Sequence, residues 1–162
     1  MRDPRHVEGA RALLFERLID LEPEKREVED VPFRVLGVAA LRESVRRELE
    51  QLLNVRCSVP LRQLAATERS VINYGLPDFS SLSAASGDDQ NLLAELVRST
   101  VSFFEPRLRE VSVTVSRPSR EERALSVTIG GVLAVGHVLE PVSFPVQFKG
   151  AEGVVVHEAE TA

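Results

Sequence analysis

Glu105 and Arg107 lie on either side of Pro106, and the placement of their charges is the least ordinary in the chain. The helical pattern before them stops at Pro106, so Glu105 stands at a helix C-terminus. A carboxylate there faces the negative end of the helix dipole, at a local cost of about 0.3–1 kcal/mol, whereas Arg107 and Arg109 suit that position. Two interpretations follow. Either Glu105 pairs with Arg107 or Arg109 and joins helix to sheet, or Glu105 and Arg107 reach outward to a partner through specific bidentate contacts.

The other residues that could do chemistry form no recognisable catalytic or metal site. His6, His137 and His157 are far apart, and none lies at metal-ligand spacing from another His, Cys or acid. Gly130-Gly131 lies inside a strand pattern, which argues against a phosphate-binding loop. A glycosidase needs two carboxylates facing each other across a cleft, and Glu105 is the one unusually placed acid. We therefore predict no catalytic residue, no metal, no cofactor and no small-molecule substrate.

Apolar residues recur at helical spacing before this corner and at strand spacing after it. The predicted helices cover residues 9–21, 41–54, 67–74 and about 88 to 105, with Asp88 or Asp89 as the N-cap of the last one. The predicted strands cover residues 111–116, 125–135, 142–148 and 154–156, the second with a bulge or bend at Gly130-Gly131. The segment 33–40 fits either a strand or a helix. This pattern predicts an α+β fold in which N-terminal helices pack on one face of a C-terminal, mostly antiparallel sheet of three to four strands.

The chain divides into an N-terminal helix with an acidic linker over residues 1–40 and a single α+β domain over residues 41–162. The acidic run 22–30 is interpreted either as a solvated connector or as a docking arm. In the third strand, Pro145 has no N–H to donate, so we predict that this strand lies at a sheet edge. An open edge accepts a strand from another chain. The apolar residues of this predicted edge strand are Val142, Phe144, Val146 and Phe148.

Composition excludes several classes of function. The net charge of −5 and the mixing of arginines with glutamates over 42–50 argue against nucleic-acid binding. The single cysteine, Cys57, makes no internal disulfide, which is typical of a reducing compartment. No apolar run is long enough for a membrane span, and no signal-peptide core is present. We therefore expect a cytoplasmic protein with no membrane insertion.

Two motifs together carry a family resemblance. The run Ser70-Val71-Ile72-Asn73-Tyr74-Gly75-Leu76-Pro77-Asp78, followed by Phe104-Glu105-Pro106-Arg107-Leu108, resembles the TssE family of type VI secretion baseplate wedge proteins. That family is grouped with the small wedge proteins of contractile phage tails. Segments 14–18, 44–54 and 141–144 resemble it too, in the same order, whereas 22–40 departs from its compact pattern.

The resemblance implies a non-enzymatic bacterial protein that is assembled into a membrane-docked baseplate. It implies that Glu105, Pro106 and Arg107 dock on the helical core bundle of the wedge, and we include Arg109 as a partner-binding candidate beside them. It also implies that the sheet accepts strand arms from subunits of the first sheath ring, which we assign to Val142–Phe148. Two alternatives stay open: a lysozyme-like peptidoglycan hydrolase, a label that some relatives carry, and a generic cytosolic interaction module.

Overall fold

The computed structural model describes residues 9–18, 35–64, 66–83, 85–116, 125–135, 137–149, 153–158 and 160–161. The helices are α1 (Leu14–Leu18), α2 (Val38–Asn54), α3 (Leu61–Leu64) and α4 (Gly87–Phe104), with a 3-10 helix at Val71–Asn73. The main sheet contains β3 (Leu108–Ser116), β4 (Leu125–Val135), β5 (Val138–Phe148), β6 (Val154–Val156) and β7 (Glu160–Thr161). A separate antiparallel pair consists of β1 (Ala10–Arg11) and β2 (Val35–Leu36). The predicted α+β fold is confirmed, and the acidic run 22–30 lies outside the described residues.

Helix α2 places one apolar stripe against the sheet. Its buried residues recur at three- and four-residue spacing, which is the signature of a helix with a single core-facing side: Leu41, Val45, Leu49, Leu52 and Leu53. The helix starts at Val38, earlier than the apolar stripe indicates, after the extended Gly37. The ambiguous segment 33–40 therefore contributes β2 and the first turn of α2.

Helix α4 ends where the sequence predicts but is capped by a different residue. The Ser86 hydroxyl accepts the Asp89 backbone N–H at 3.3 Å, so Ser86 is the N-cap, and the prediction of Asp88 or Asp89 is wrong. The Asp89 carboxylate instead accepts the Ser83 backbone N–H at 2.9 Å. At the other end, Pro106 stops the helix after Phe104.

The predicted edge position of Val142–Phe148 is wrong. The order is β3-β4-β5-β6, all antiparallel, and β7 also pairs with β5 on the side of β6. The later strands thus occupy the outer side of β5. The Pro145 carbonyl faces that side, where it accepts the His157 N–H at 2.9 Å, so Pro145 leaves the ladder with β4 intact. Four apolar side chains of β5 are buried in the core: Val142, Phe144, Val146 and Phe148.

The bulge lies on β3 and not in β4. The register between β4 and β5 runs without a break through Gly131, whereas the register between β3 and β4 shifts between Arg109 and Ser112. Glu110 sits in this bulge with φ of 52°. Gly131 is needed opposite it, because a Cβ there would lie 2.9 Å from the Arg109 carbonyl oxygen. The sequence therefore predicts a bulge at the correct place in the sheet but assigns it to the wrong strand.

The segment before α4 is built around a short turn. The predicted helix over 67–74 is reduced to the 3-10 helix at Val71–Asn73. Gly75 follows with φ of 103°, and a Cβ there would lie 2.3 Å from the Val55 carbonyl oxygen. Residue 75 must therefore be glycine. None of the described helices has the length and hydropathy needed to cross a bilayer.

Candidate partner-binding corner and sheet edges

The Glu105 carboxylate is buried and fully engaged within the chain. Its Oε1 accepts the backbone N–H of Arg107 at 3.1 Å and Nε of Arg107 at 2.8 Å, and its Oε2 accepts Nη2 at 2.6 Å. Glu105 is only 3% exposed. A two-pronged guanidinium–carboxylate contact of this kind is directional and strong.

Arg107 connects this ion pair to a second helix. Its Nη1 donates to the Ser44 hydroxyl on α2 at 2.8 Å, and Ser44 is itself buried. The corner between α4 and β3 is therefore tied to α2 through one guanidinium. Of the two interpretations of the sequence, the geometry supports the internal pair: the charge of Glu105 is compensated inside the chain, and its carboxylate is not available to a partner.

The exposed part of the corner is formed by the neighbours of this pair. Pro106 and Arg109 are exposed, and Arg107 is partly exposed beside them. Glu110, also exposed, follows in the bulge. The predicted partner-binding residues are thus together in space but differ in role: Glu105 holds Arg107 in place, while Pro106 and Arg109 form the accessible surface.

One edge of the main sheet is closed by side chains of α2. Asn54 Oδ1 accepts the Val154 N–H at 2.8 Å, and its Nδ2 donates to the Val154 carbonyl at 2.8 Å. Arg46 Nη1 donates to the Val156 carbonyl at 3.0 Å. The outer backbone groups of β6 are therefore partly saturated, which blunts this edge against strand addition.

The opposite edge is open in the part of the chain that the structure describes. There β3 pairs with β4 alone. The residues of β3 beyond the bulge, Val111–Ser116, alternate valine with serine or threonine and contain no charge and no proline. Charges, prolines and short length are the usual protections of an edge strand, so this edge lacks them.

The ladder shows which backbone groups of β3 face outward. The N–H and C=O of a strand residue point to one side and alternate along the strand. The Pro145 carbonyl faces β6, so the backbone groups of the odd-numbered β5 residues point away from β4. The β4 residues that pair with them therefore direct their own backbone groups toward β3. Those β4 residues pair with Ser112, Thr114 and Ser116. The backbone groups of Val113 and Val115 therefore point away from β4, to the open edge.

Sequence reasoning missed Ser44 and Asn54, although each had a weak signal. Ser44 interrupts the polar face of α2 with a small hydroxyl that lies beside the buried stripe. Asn54 ends the helix, and an asparagine amide presents a donor and an acceptor in the same arrangement as a backbone peptide. Neither signal indicates the partner, because Arg107 and Val154 lie 63 and 100 residues away.

Comparisons with known proteins give one match, to a protein family. Neither the curated proteins nor the solved structures give a match to the chain. The model of the family described as baseplate wedge protein gp25 matches residues 39–137, from the first turn of α2 to the turn between β4 and β5. The match covers more than half of the chain and includes the Glu105–Arg107 corner, α4 and the open edge of β3. The chain belongs to the baseplate wedge protein gp25 family, which includes TssE.

Proposed function

We propose that this protein is a structural adaptor of a type VI secretion baseplate, which docks on the wedge and joins it to the first ring of the contractile sheath. The family match over residues 39–137 carries this proposal, because the family is one of baseplate components. The buried Glu105–Arg107 pair adds to it, since an acid engaged with a guanidinium is poorly placed for the proton transfer that a hydrolase needs. The adaptor has no enzymatic activity in this proposal.

Docking on the wedge core bundle uses the exposed part of the corner. Pro106 and Arg109 make the contacts, and Glu105 acts indirectly by fixing the orientation of Arg107. A pre-oriented arginine loses little side-chain entropy on binding, which favours affinity and specificity. This assignment modifies the simplest expectation from the sequence, in which Glu105 itself touches the partner.

Substitution of Arg109 tests this docking role. Arg109→Ala should weaken binding of the purified protein to the other wedge proteins of its own baseplate, measured by calorimetry, by about tenfold or more. Arg98→Ala is the matched control: Arg98 is equally cationic and exposed, but it lies on the solvent face of α4 beside Glu95. Equal binding by the two variants would remove Arg109 from the interface.

Joining to the sheath uses the open edge of β3. An added strand would take hydrogen bonds from the backbone of Val113 and Val115, and its apolar side chains would extend the core-facing side of the sheet. The closed edge at β6 supports the choice of β3, because only one long edge of the described sheet is without side-chain protection.

A proline placed on β3 tests this edge selectively. Val113→Pro removes an outward N–H while leaving the hydrogen bonds of β3 to β4, which Ser112 and Thr114 make. Val113→Thr keeps the N–H and the branched shape, and is the control. Co-expression with the sheath subunit should give a complex with Val113→Thr but not with Val113→Pro. A complex that tolerates the proline would exclude β3 as the accepting edge.

A further inference from the structure

Two large apolar side chains stand out from the surface just before α4. Val71 and Ile72 are each 85% exposed, more than any other large apolar residue in the described part of the chain. Burial of such a side chain stabilises a protein, and the isolated chain does not gain this stabilisation here. Side chains exposed to this degree project from the surface, so a complementary surface must be concave.

The turn that carries them is closed by side-chain hydrogen bonds. Asn73 is buried, its Oδ1 accepts the Ser70 N–H at 2.9 Å, and its Nδ2 donates to the Glu68 carbonyl at 2.9 Å. The side chain of Ser70 completes a reciprocal capping box with Asn73. Val71 and Ile72 are therefore held in a fixed orientation, which reduces the entropy lost when they are bound.

An apolar strip connects this turn to the docking corner. The Tyr74 ring packs edge-on against Phe104 with centroids 5.1 Å apart, and Phe104 packs in the same way against the half-exposed Phe103 at 4.9 Å. Phe104 is followed directly by Glu105. Tyr74, two residues after Ile72, is thus in ring contact with Phe104, the residue before Glu105.

A cation with an incomplete set of partners lies at the base of the turn. Arg69 Nη2 donates to the Thr100 hydroxyl at 3.1 Å, whereas Nη1 is buried and makes no hydrogen bond. Within the described residues Arg69 has no carboxylate partner, unlike Arg46, Arg98 and Arg107. A partly buried guanidinium without a counter-ion favours an approaching carboxylate.

We propose that Val71 and Ile72 insert into an apolar groove on another baseplate protein, and that a carboxylate at the rim of this groove pairs with Arg69. The kind of partner surface follows from the shape and the charge. A projecting apolar pair fits a groove, and the uncompensated cation beside it fits an acidic side chain. This inference rests on the proposed function and extends the docking surface from the corner at Pro106 and Arg109 to the opposite end of the aromatic strip.

The test compares two exposed apolar pairs on the same protein. Binding of the purified wedge proteins of the same baseplate is measured by calorimetry for the double variants V71S/I72S and L14S/L18S. Leu14 and Leu18 are 63% and 70% exposed and lie on α1, outside the segment 39–137 that matches the family model. We expect at least tenfold weaker binding for V71S/I72S and unchanged binding for L14S/L18S. Similar effects of the two variants would overturn the inference.

The charge is tested by Arg69→Gln, which removes the cation and keeps a polar side chain. We expect several-fold weaker binding and a weaker dependence of the affinity on salt, because one ion pair is lost. A photoreactive residue at position 72 should cross-link to a groove that contains an acidic side chain. Unchanged affinity and salt dependence in Arg69→Gln, or a cross-link to a flat surface, would contradict the proposed occupant.

Further outcomes separate this inference from the proposed function. If Arg109→Ala weakens binding and V71S/I72S does not, the docking corner stands and the groove is rejected. If no wedge protein binds the wild type, both are rejected. If sedimentation shows a dimer of the wild type that V71S/I72S dissociates, the pair is a contact between copies of this chain and the groove on another protein is rejected.

Discussion

The side-chain amide of Asn54 pairs with both backbone groups of Val154, accepting its N–H at 2.8 Å and donating to its carbonyl at 2.8 Å. The last residue of a helix therefore takes the place of a neighbouring strand at the end of the sheet. The adjacent Gly153 has φ of 93°, and a Cβ there would lie 2.7 Å from Asn54 Oδ1. The close approach thus depends on glycine at 153. Together these contacts close one edge of the sheet and leave β3 as the open edge among the described strands.

Loss of this amide should weaken the fold and expose the edge of β6. Asn54→Ala removes two hydrogen bonds to one residue, for an expected loss of about 1–3 kcal/mol in the free energy of unfolding, measured by urea titration. Light scattering should show increased association, since the edge becomes available. Gln51→Ala, at an exposed position on the same helix, is the control, and an equal effect of the two would contradict this role.

The Glu105–Arg107 ion pair should contribute to the integrity of the fold. Breaking a buried pair from one side leaves an uncompensated charge, so Arg107→Met should lower the free energy of unfolding by about 3–5 kcal/mol. Replacing both residues, with Glu105→Leu and Arg107→Met, should recover most of this loss. Arg98→Met, which disrupts an exposed pair, should cost less than about 1 kcal/mol. Equal costs for the two arginine variants in urea titrations would show that the pair is not structural.

A structural role for the Glu105–Arg107 pair could not be derived from the sequence alone. The stop at Pro106 and the neighbouring charges are visible in the sequence. The contact of Arg107 with Ser44 of α2 is not, because the two residues are 63 positions apart. Helices α2 and α4 are predictable because their apolar stripes are local patterns. The position of β5 inside the sheet is not, because it depends on pairing with β6 and β7, which follow it and are only three and two residues long.

The prolines of β5 illustrate the same limit. Pro145 correctly indicates that its strand needs no N–H donor on one side at that position, and this side is the one that faces away from β4. The sequence cannot show that β6 later covers this side, because a proline carbonyl still accepts a hydrogen bond. A local rule about donors was therefore correct, while the conclusion about the edge was wrong.

Tyr74 provides an optical measure of the apolar strip. Burial, followed by the negative charges of Glu48 and Glu105, raises the pKa of Tyr74 above its ordinary value of 10. The neutral phenol is thus favoured in the folded state, so its contribution to stability is complete below the unfolded pKa and is lost as pH rises through the folded pKa. Tyr74 is the single tyrosine and the chain has no tryptophan, so phenolate absorbance reports on it alone.

A spectrophotometric titration should therefore give a higher midpoint in the native protein than in the protein unfolded by urea. Glu48→Gln removes one of the charges and should lower the native midpoint, whereas Glu68→Gln, at an exposed position before the 3-10 helix, should change it less. Coincident native and unfolded midpoints would mean that the Tyr74 ring is solvated and that the aromatic strip is not packed in solution.

Glu110 occupies a left-handed conformation in the bulge that follows the docking corner. Its φ of 52° costs an ordinary residue about 1–2 kcal/mol, whereas glycine adopts it freely and asparagine tolerates it. Since the side chain is exposed, replacing it removes little else. Urea titrations should therefore rank Glu110→Gly and Glu110→Asn at least as stable as the wild type, and the branched Glu110→Val about 1–2 kcal/mol less stable.

The same variants test whether the bulge sets the position of Arg109 relative to the open edge. Glu110→Gly keeps the bulge, so binding to the wedge proteins should be unchanged. Glu110→Val favours an ordinary strand conformation, in which the register between Arg109 and Ser112 would shift by one residue and turn Arg109 toward the opposite face of the sheet. Binding should then fall with Glu110→Val to the level of Arg109→Ala. A Glu110→Val protein that binds normally would show that the corner does not depend on the bulge.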